Sequence, residues 1–179
     1  MICSLLTGAD HTSGVAARHP YLDWPVPIAL AHRGGGAEAP ENTMRAFCNA
    51  VDLGYHYLET DVRVSADGVV VVFHDEDLSR LCGRPERVAD LSATELAAAR
   101  VHGTEPIPTL DELLETLPDA RLNIDCKSNT GVRPLSDTIR RHGALDRVCL
   151  TSFSDRRVRA LRRALGDGLC TAAGTWELT

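Results

Sequence analysis

The chain has 179 residues, enough for one domain with a hydrophobic core, and its 44% apolar and 25% charged content is that of an ordinary soluble globular protein. Its formal net charge of −6 has the wrong sign for a protein that grips a nucleic-acid backbone. Met1 to Thr12 contain no Lys or Arg and only a brief apolar stretch, matching neither a secretory signal nor a membrane span, and six scattered cysteines without a C-x-x-C pair read as reduced core residues. A cytoplasmic location is the expectation.

Residues 1–27 mix Gly, Pro, His and polar residues without periodicity and end in Trp24-Pro25-Val26-Pro27, whose prolines favour extended backbone. They are expected to form a loose tail that docks late. From Ile28 onward short β-branched runs alternate with helical patterns, which predicts parallel strands with helical crossovers. Strands are predicted at 28–32, 57–64, 69–74, 121–127, 147–153 and 169–173. Only Ser65-Ala66-Asp67-Gly68 separates the second from the third, too little for a helix, so this pair is either a tight hairpin-like link or one strand bulged by a turn.

Met44, Phe47, Cys48 and Val51 share one helical face after Asn42-Thr43, with Gly54 as a stop. Ser92-x-x-Glu95 and Thr109-x-x-Glu112 have the spacing of capping boxes and predict two helix starts. Val132, Leu135 and Ile139 before Gly143, and Val158, Leu161 and Leu165 before Gly166, predict two more helices. The stretch 76–108 is too long for an ordinary βα loop and reads as a small helical insertion. Arg156, Arg157, Arg159, Arg162 and Arg163 alternate with an apolar stripe and read as a solvated helix face.

Alternation along a strand puts Glu59 and Asp61 on the same side of the sheet, and the same spacing pairs Asp125 with Lys127. Unit charges about 4 Å apart interact at roughly 4 kcal/mol for an effective dielectric near 20, so three converging carboxylates resist joint ionisation unless a divalent cation joins them. All-oxygen donors favour Mg2+ or Ca2+. His32 and His74 stand at strand ends, which in a parallel barrel converge on one rim, and imidazoles there suit general acid and base roles. Gly34-Gly35-Gly36 lets backbone approach an anion, while Arg33 and Lys127 bring positive charge. Singly, each feature has an ordinary structural reading. Together they describe a site for a phosphate ester.

In this order the motifs resemble those of the glycerophosphodiester phosphodiesterases: His32-Arg33-Gly34, Pro40-Glu41-Asn42-Thr43, Glu59-Thr60-Asp61-Val62, His74-Asp75, Asp125-Cys126-Lys127 and Ser152-Phe153. The resemblance implies an α/β fold of the TIM-type (β/α) barrel and hydrolysis of a small-molecule glycerophosphodiester to glycerol 3-phosphate and an alcohol, with Mg2+ or Ca2+. It implies that Glu59, Asp61 and Asp125 hold the metal, that His32 and His74 are acid and base, that Arg33 and Lys127 bind phosphate, and that Glu41 supports them. Either a metal-bound water or the glycerol 2-hydroxyl would attack phosphorus, and 76–108 would help to cover the substrate. Position 125 departs from the commoner Glu, so its carboxylate reaches one methylene less far.

A closed barrel has eight strands and usually about 250 residues, so 28–179 is read as a barrel domain truncated at its C-terminus, with about six of the eight strands. Either low stability or self-association through open sheet edges, with little activity, is the expected consequence. The competing readings are a non-catalytic fragment that retains the site residues and a related lysophospholipid or phosphoinositide phosphodiesterase.

Overall fold

The structure is a computed structural model that describes residues 19–25, 27–36 and 38–173. Of the tail expected over 1–27, residues 1–18, with Cys3, and residue 26 lie outside the described residues, as do residues 37 and 174–179.

The longest strand, β2 (Tyr57–Val64), organises the molecule. It pairs in parallel with β1 (Leu30–Ala31) on one side and with β6 (Arg121–Cys126) on the other, and the sheet continues in parallel through β7 (Val148–Thr151) to β8 (Cys170–Thr171). β3 (Val70–Val72) folds back antiparallel on β2, with Val62 opposite Val72 and Val64 opposite Val70. This settles the link left open by the sequence as a hairpin. Gly68 turns it at φ 85°, and the Ser65 hydroxyl accepts from Val69 N. All six expected strands therefore form, one of them as a hairpin arm because four residues cannot make a parallel crossover. The sheet remains open: β1 and β8 each have one strand neighbour among the described residues.

Between β1 and β2 runs α1 (Met44–Asp52), its N-terminus capped by the Thr43 hydroxyl on Ala46 N and its end marked by Gly54 at φ 90°. α4 (Leu110–Thr116) leads into β6, α5 (Val132–Arg141) crosses from β6 to β7, and α6 (Asp155–Leu165) from β7 to β8. Alternation then divides the sheet into two faces. Leu58, Val62, Leu122, Ile124, Val148 and Leu150 point toward the helices and pack with Phe47, Leu113, Leu135 and Leu161 in the main core. The opposite, inner face is apolar at its foot, where Tyr57 and Cys149 pack with Tyr21 and with half-buried Trp24, Ile28, Leu30 and Cys170. Residues 19–25 are thus no loose tail. Tyr21 is 5% exposed, its carbonyl accepts from the Tyr57 hydroxyl, and Arg121 lies over the Trp24 ring at 4.8 Å.

Residues 76–108 form more than the expected helical insertion. Two short helices, α2 (Ser79–Cys82) and α3 (Ala93–Ala98), are followed by a two-strand hairpin of β4 (Arg100–Val101) and β5 (Glu105–Pro106). They share a second core of Leu78, Leu81, Val88, Leu96, Val101 and Ile107 that packs on Val71 and Phe73 of the β3 region. Both expected capping boxes close, at Ser92 and at Thr109. The arginine face of α6 departs from the expectation. Arg157 turns inward, donating Nε to Ser152 Oγ at 2.7 Å and Nη1 to Lys127 O at 2.9 Å, and Arg162 donates Nε to Thr171 Oγ1 at 2.9 Å. These two side chains reach neighbouring strand ends, where carbonyls and hydroxyls offer partners. No helix among the described residues is long and apolar enough to cross a membrane.

Candidate functional site

Above its apolar foot, the inner face of the sheet becomes ionic. Asp61 and Asp125 are register partners on β2 and β6, and the Lys127 ammonium bridges them, 2.8 Å from Asp61 Oδ1 and 2.6 Å from Asp125 Oδ2. Asp61 Oδ2 accepts from Asn42 Nδ2 at 2.9 Å and faces Arg33 Nε at 3.2 Å. Glu59, two residues nearer the foot of β2, accepts from the Arg33 backbone N–H at 2.9 Å, with His32 Nε2 at 3.7 Å.

Of these groups, His32 and Arg33 come from a tight turn directly after β1. Arg33 adopts φ 53°, followed by Gly34 at 78° and Gly35 at 81°, so the chain reverses within three residues and aims a backbone N–H at Glu59. Gly34 is obligatory for a second reason: a Cβ there would stand 2.9 Å from Ala46 Cβ and 3.0 Å from Phe47 Cδ1 of α1. The Asn42 N–H then donates to Arg33 O, tying the two ends of this loop together.

A second charged chain runs along the rim. His74 Nδ1 lies 2.6 Å from Asp75 Oδ1, Arg80 Nε donates to Asp75 Oδ2 at 2.6 Å, and Arg80 also donates to both oxygens of Glu41. Glu41 Oε1 also accepts from Arg33 Nη1 at 2.8 Å. Arg63 Nε, one turn of the pleat above Asp61, donates to His74 O at 2.8 Å. The expected residues therefore fall into two linked groups: Glu59, Asp61, Asp125, Lys127, Arg33 and His32 over the sheet, with Glu41 and His74 reached through Arg33 and Arg80.

Electrostatics follow from burial and partners. Burial, and next the Asp61 charge, push Glu59 up to about 7. Asp61 is just as buried, yet hydrogen bonds from Lys127 and Asn42 outweigh that burial and hold it below the usual carboxylate range. Burial works against Glu41 and Asp75 too, and is again overcome: Arg80 and Arg33 lower Glu41, and Arg80 and His74 lower Asp75 to about 2. Lys127 is raised, because Asp125 and Asp61 outweigh its desolvation. His32 is lowered, by partial burial and then by Arg33, although 68% of its side chain remains exposed.

The donor chemistry suits a hard cation. Glu59, Asp61 and Asp125 are all buried, and Asp125 Oδ1 is buried without a hydrogen-bond partner. The three do not converge to the degree the sequence suggests: Lys127 takes the bridging position between Asp61 and Asp125, Glu59 faces the Arg33 turn, and among the described residues no group of three or more His, Cys, Asp or Glu side chains forms a metal cage.

Beside these groups lies a cavity of about 430 Å3 lined by His32, Arg33, Gly36, Pro40, Glu41 and His102. His102 comes from the turn of the β4–β5 hairpin, so the 76–108 segment contributes one wall. The sequence reading assigned no role to Asn42, Asp75, Arg80 or His102. Asn42 and Asp75 stood inside quoted motifs, which was their available signal. Arg80 and His102 lie in a segment without periodicity, and nothing local marks them.

Comparison with known proteins agrees with this arrangement. A model of the glycerophosphoryl diester phosphodiesterase family matches residues 32–170. The chain is 41% identical over 152 residues to a protein of Mycobacterium tuberculosis named probable glycerophosphodiester phosphodiesterase 2, covering 84% of this chain and 58% of that protein. A glycerophosphodiester phosphodiesterase structure from Agrobacterium tumefaciens superposes with a TM-score of 0.70 at 32% identity, covering 75% of this chain and 60% of that one. A phosphodiesterase from Oleispira antarctica, solved with the product sn-glycerol-3-phosphate, gives a TM-score of 0.70 at 27% identity over the same shares. The chain thus spans somewhat more than half the length of these relatives, and its open sheet is part of a TIM-type barrel. With its motifs, its parallel α/β sheet and the matched span in agreement, the chain belongs to the glycerophosphoryl diester phosphodiesterase family.

Proposed function

We propose that this site hydrolyses glycerophosphodiesters to glycerol 3-phosphate and an alcohol with the help of one divalent cation, Mg2+ or Ca2+. The observation that carries the reading is the convergence of Arg33 and Lys127 on Asp61, with His32 beside Glu59, at the rim of a parallel sheet. Two fixed cations over buried carboxylates offer an anionic phosphodiester a place to bind, and the relative solved with sn-glycerol-3-phosphate supports the same product here.

In this reading Arg33 and Lys127 take the phosphoryl oxygens, and Glu41 keeps the Arg33 guanidinium in place. One histidine of the pair His32 and His74 accepts the proton of the attacking hydroxyl, from water or from the glycerol 2-hydroxyl, and the other gives a proton to the departing alcohol oxygen. Glu59, Asp61 and Asp125 would hold the cation, which when bound polarises the phosphoryl group and lowers the pKa of an attacking hydroxyl. In this reading the 76–108 segment helps to cover the substrate, which the position of His102 in the cavity wall supports. Residues 28–179 are taken as the barrel domain and 76–108 as its insertion. Cytoplasmic residence is part of the proposal, in keeping with the free thiols of Cys48, Cys82, Cys126, Cys149 and Cys170.

The test is release of glycerol 3-phosphate from glycerophosphocholine with and without chelator, with lysophosphatidylcholine as the competing substrate. Chelator-sensitive turnover that falls about 100-fold or more in His32→Ala and His74→Ala supports the reading, since a positioned acid or base contributes about 10²- to 10⁴-fold. Calorimetric titration should show Mg2+ or Ca2+ binding that Asp61→Ala abolishes. Unchanged affinity in that variant would sink the metal assignment.

A further inference from the structure

Arg80 takes no part in the chemistry above, yet its guanidinium ties together two carboxylates of the rim. It lies in α2, at the start of the 76–108 segment, and its side chain is about half exposed. It donates Nε to Asp75 Oδ2 at 2.6 Å, Nη1 to Glu41 Oε2 at 3.1 Å and Nη2 to Glu41 Oε1 at 2.6 Å. The two carboxylates belong to different loops. Glu41 follows β1 and holds Arg33, whereas Asp75 follows β3 and meets His74 Nδ1 at 2.6 Å. An isolated surface ion pair does little, because both side chains must be immobilised for one contact. Here each carboxylate is already engaged a second time, and a planar fork that stays charged fixes both their separation and their orientation.

We propose that Arg80 is a positioning residue of the phosphodiesterase site. By clamping Asp75 to Glu41 it turns the Asp75 carboxylate toward His74 Nδ1, so that the ring carries its proton there and presents Nε2 for proton transfer. The same clamp keeps Glu41 against Arg33. A surface-facing residue of the inserted segment thereby sets the tautomer of a group in the reaction, with Asp75 as the link. The inference rests on the reading of His74 as a proton-transfer group.

The test combines 15N-edited spectra of the imidazoles with kcat and KM for the wild-type chain, Arg80→Gln, Arg80→Lys, Arg84→Gln and His74→Ala. Arg84 pairs with Glu86 in the same segment and controls for loosening it. Arg80→Gln is expected to move His74 away from the Nδ1–H tautomer and to lower kcat about 10- to 100-fold, a part of what a positioned acid or base supplies, with a smaller change in KM. Arg80→Lys restores part of both, and Arg84→Gln changes neither. An Arg80→Gln protein with the wild-type His74 tautomer and kcat overturns the proposal while leaving the site reading intact. Retained kcat in His74→Ala overturns the site reading, and the proposal with it.

Discussion

At Asn42 one buried amide makes three contacts: Nδ2 donates to Asp61 Oδ2, and Oδ1 accepts from the Thr60 hydroxyl and the Asp61 N–H. Its backbone sits at φ 57°, a left-handed conformation that Asn tolerates better than most residues. Replacement by Gly keeps that conformation available and removes only the amide. Asn42→Gly should lower stability by about 1–3 kcal/mol in urea unfolding, the cost of stranding buried polar groups, and Asn42→Ala by about 1 kcal/mol more through backbone strain. Equal stability of the two variants would show that strain plays no part. Asp75 supports a pH prediction. Its folded pKa lies near 2, below the ordinary carboxylate value, so its contribution is fully present above about pH 4 and is lost as pH falls through about 2. Because the pair with Arg80 is partly solvated, the contribution is on the order of 1 kcal/mol. Asp75→Asn should therefore be less stable than wild type at pH 7, and the gap should close near pH 2.

The elements were legible where a local pattern repeats. The α1 face, the two capping boxes and the alternation of Glu59 with Asp61 each follow from neighbours within four residues. The β4–β5 hairpin was not legible, since strands of two residues have no period to read. Nor could the packing of the Gly34 turn on α1 be foreseen. Gly34 permits the turn that carries His32 and Arg33 only because nothing projects toward Ala46 and Phe47. Gly34→Ala would place a methyl 3.0 Å from helix backbone at φ 78°, combining overpacking with a left-handed penalty. A loss of about 2–5 kcal/mol is expected in thermal or urea unfolding. Wild-type stability would mean that α1 can shift freely.

At the scale of the whole molecule, the sheet places its charges over an apolar floor and, among the described residues, leaves the outer edges of β1 and β8 without a strand partner. Along β1 the open edge borders a groove of about 870 Å3 lined by Leu30, Ala31, Ala46, Ala50, Leu53 and Tyr55. Exposed strand edges beside apolar surface template pairing with another chain. Sedimentation velocity should show this chain self-associating as concentration rises, and Lys substitutions at Leu53 and Tyr55 should weaken the association. A chain that stays monomeric at all concentrations and melts cooperatively would contradict this expectation.

The sequence by itself determined which residues share a face, where helices begin and which motifs stand in family order, because these depend on backbone periods and on side chains a few residues apart. It pointed to Glu59, Asp61, Asp125, His32, His74, Arg33, Lys127 and Glu41 as one site. Tertiary structure alone decided how those charges divide. It set Lys127 between Asp61 and Asp125, gave Glu59 to the Arg33 turn, and drew Arg80 across from the inserted segment to Glu41, 39 positions away. It also folded residues 19–25 under the sheet as a floor. Each of these rests on strand register and chain crossing, and a contact between residues far apart in the chain leaves no periodic trace in either segment.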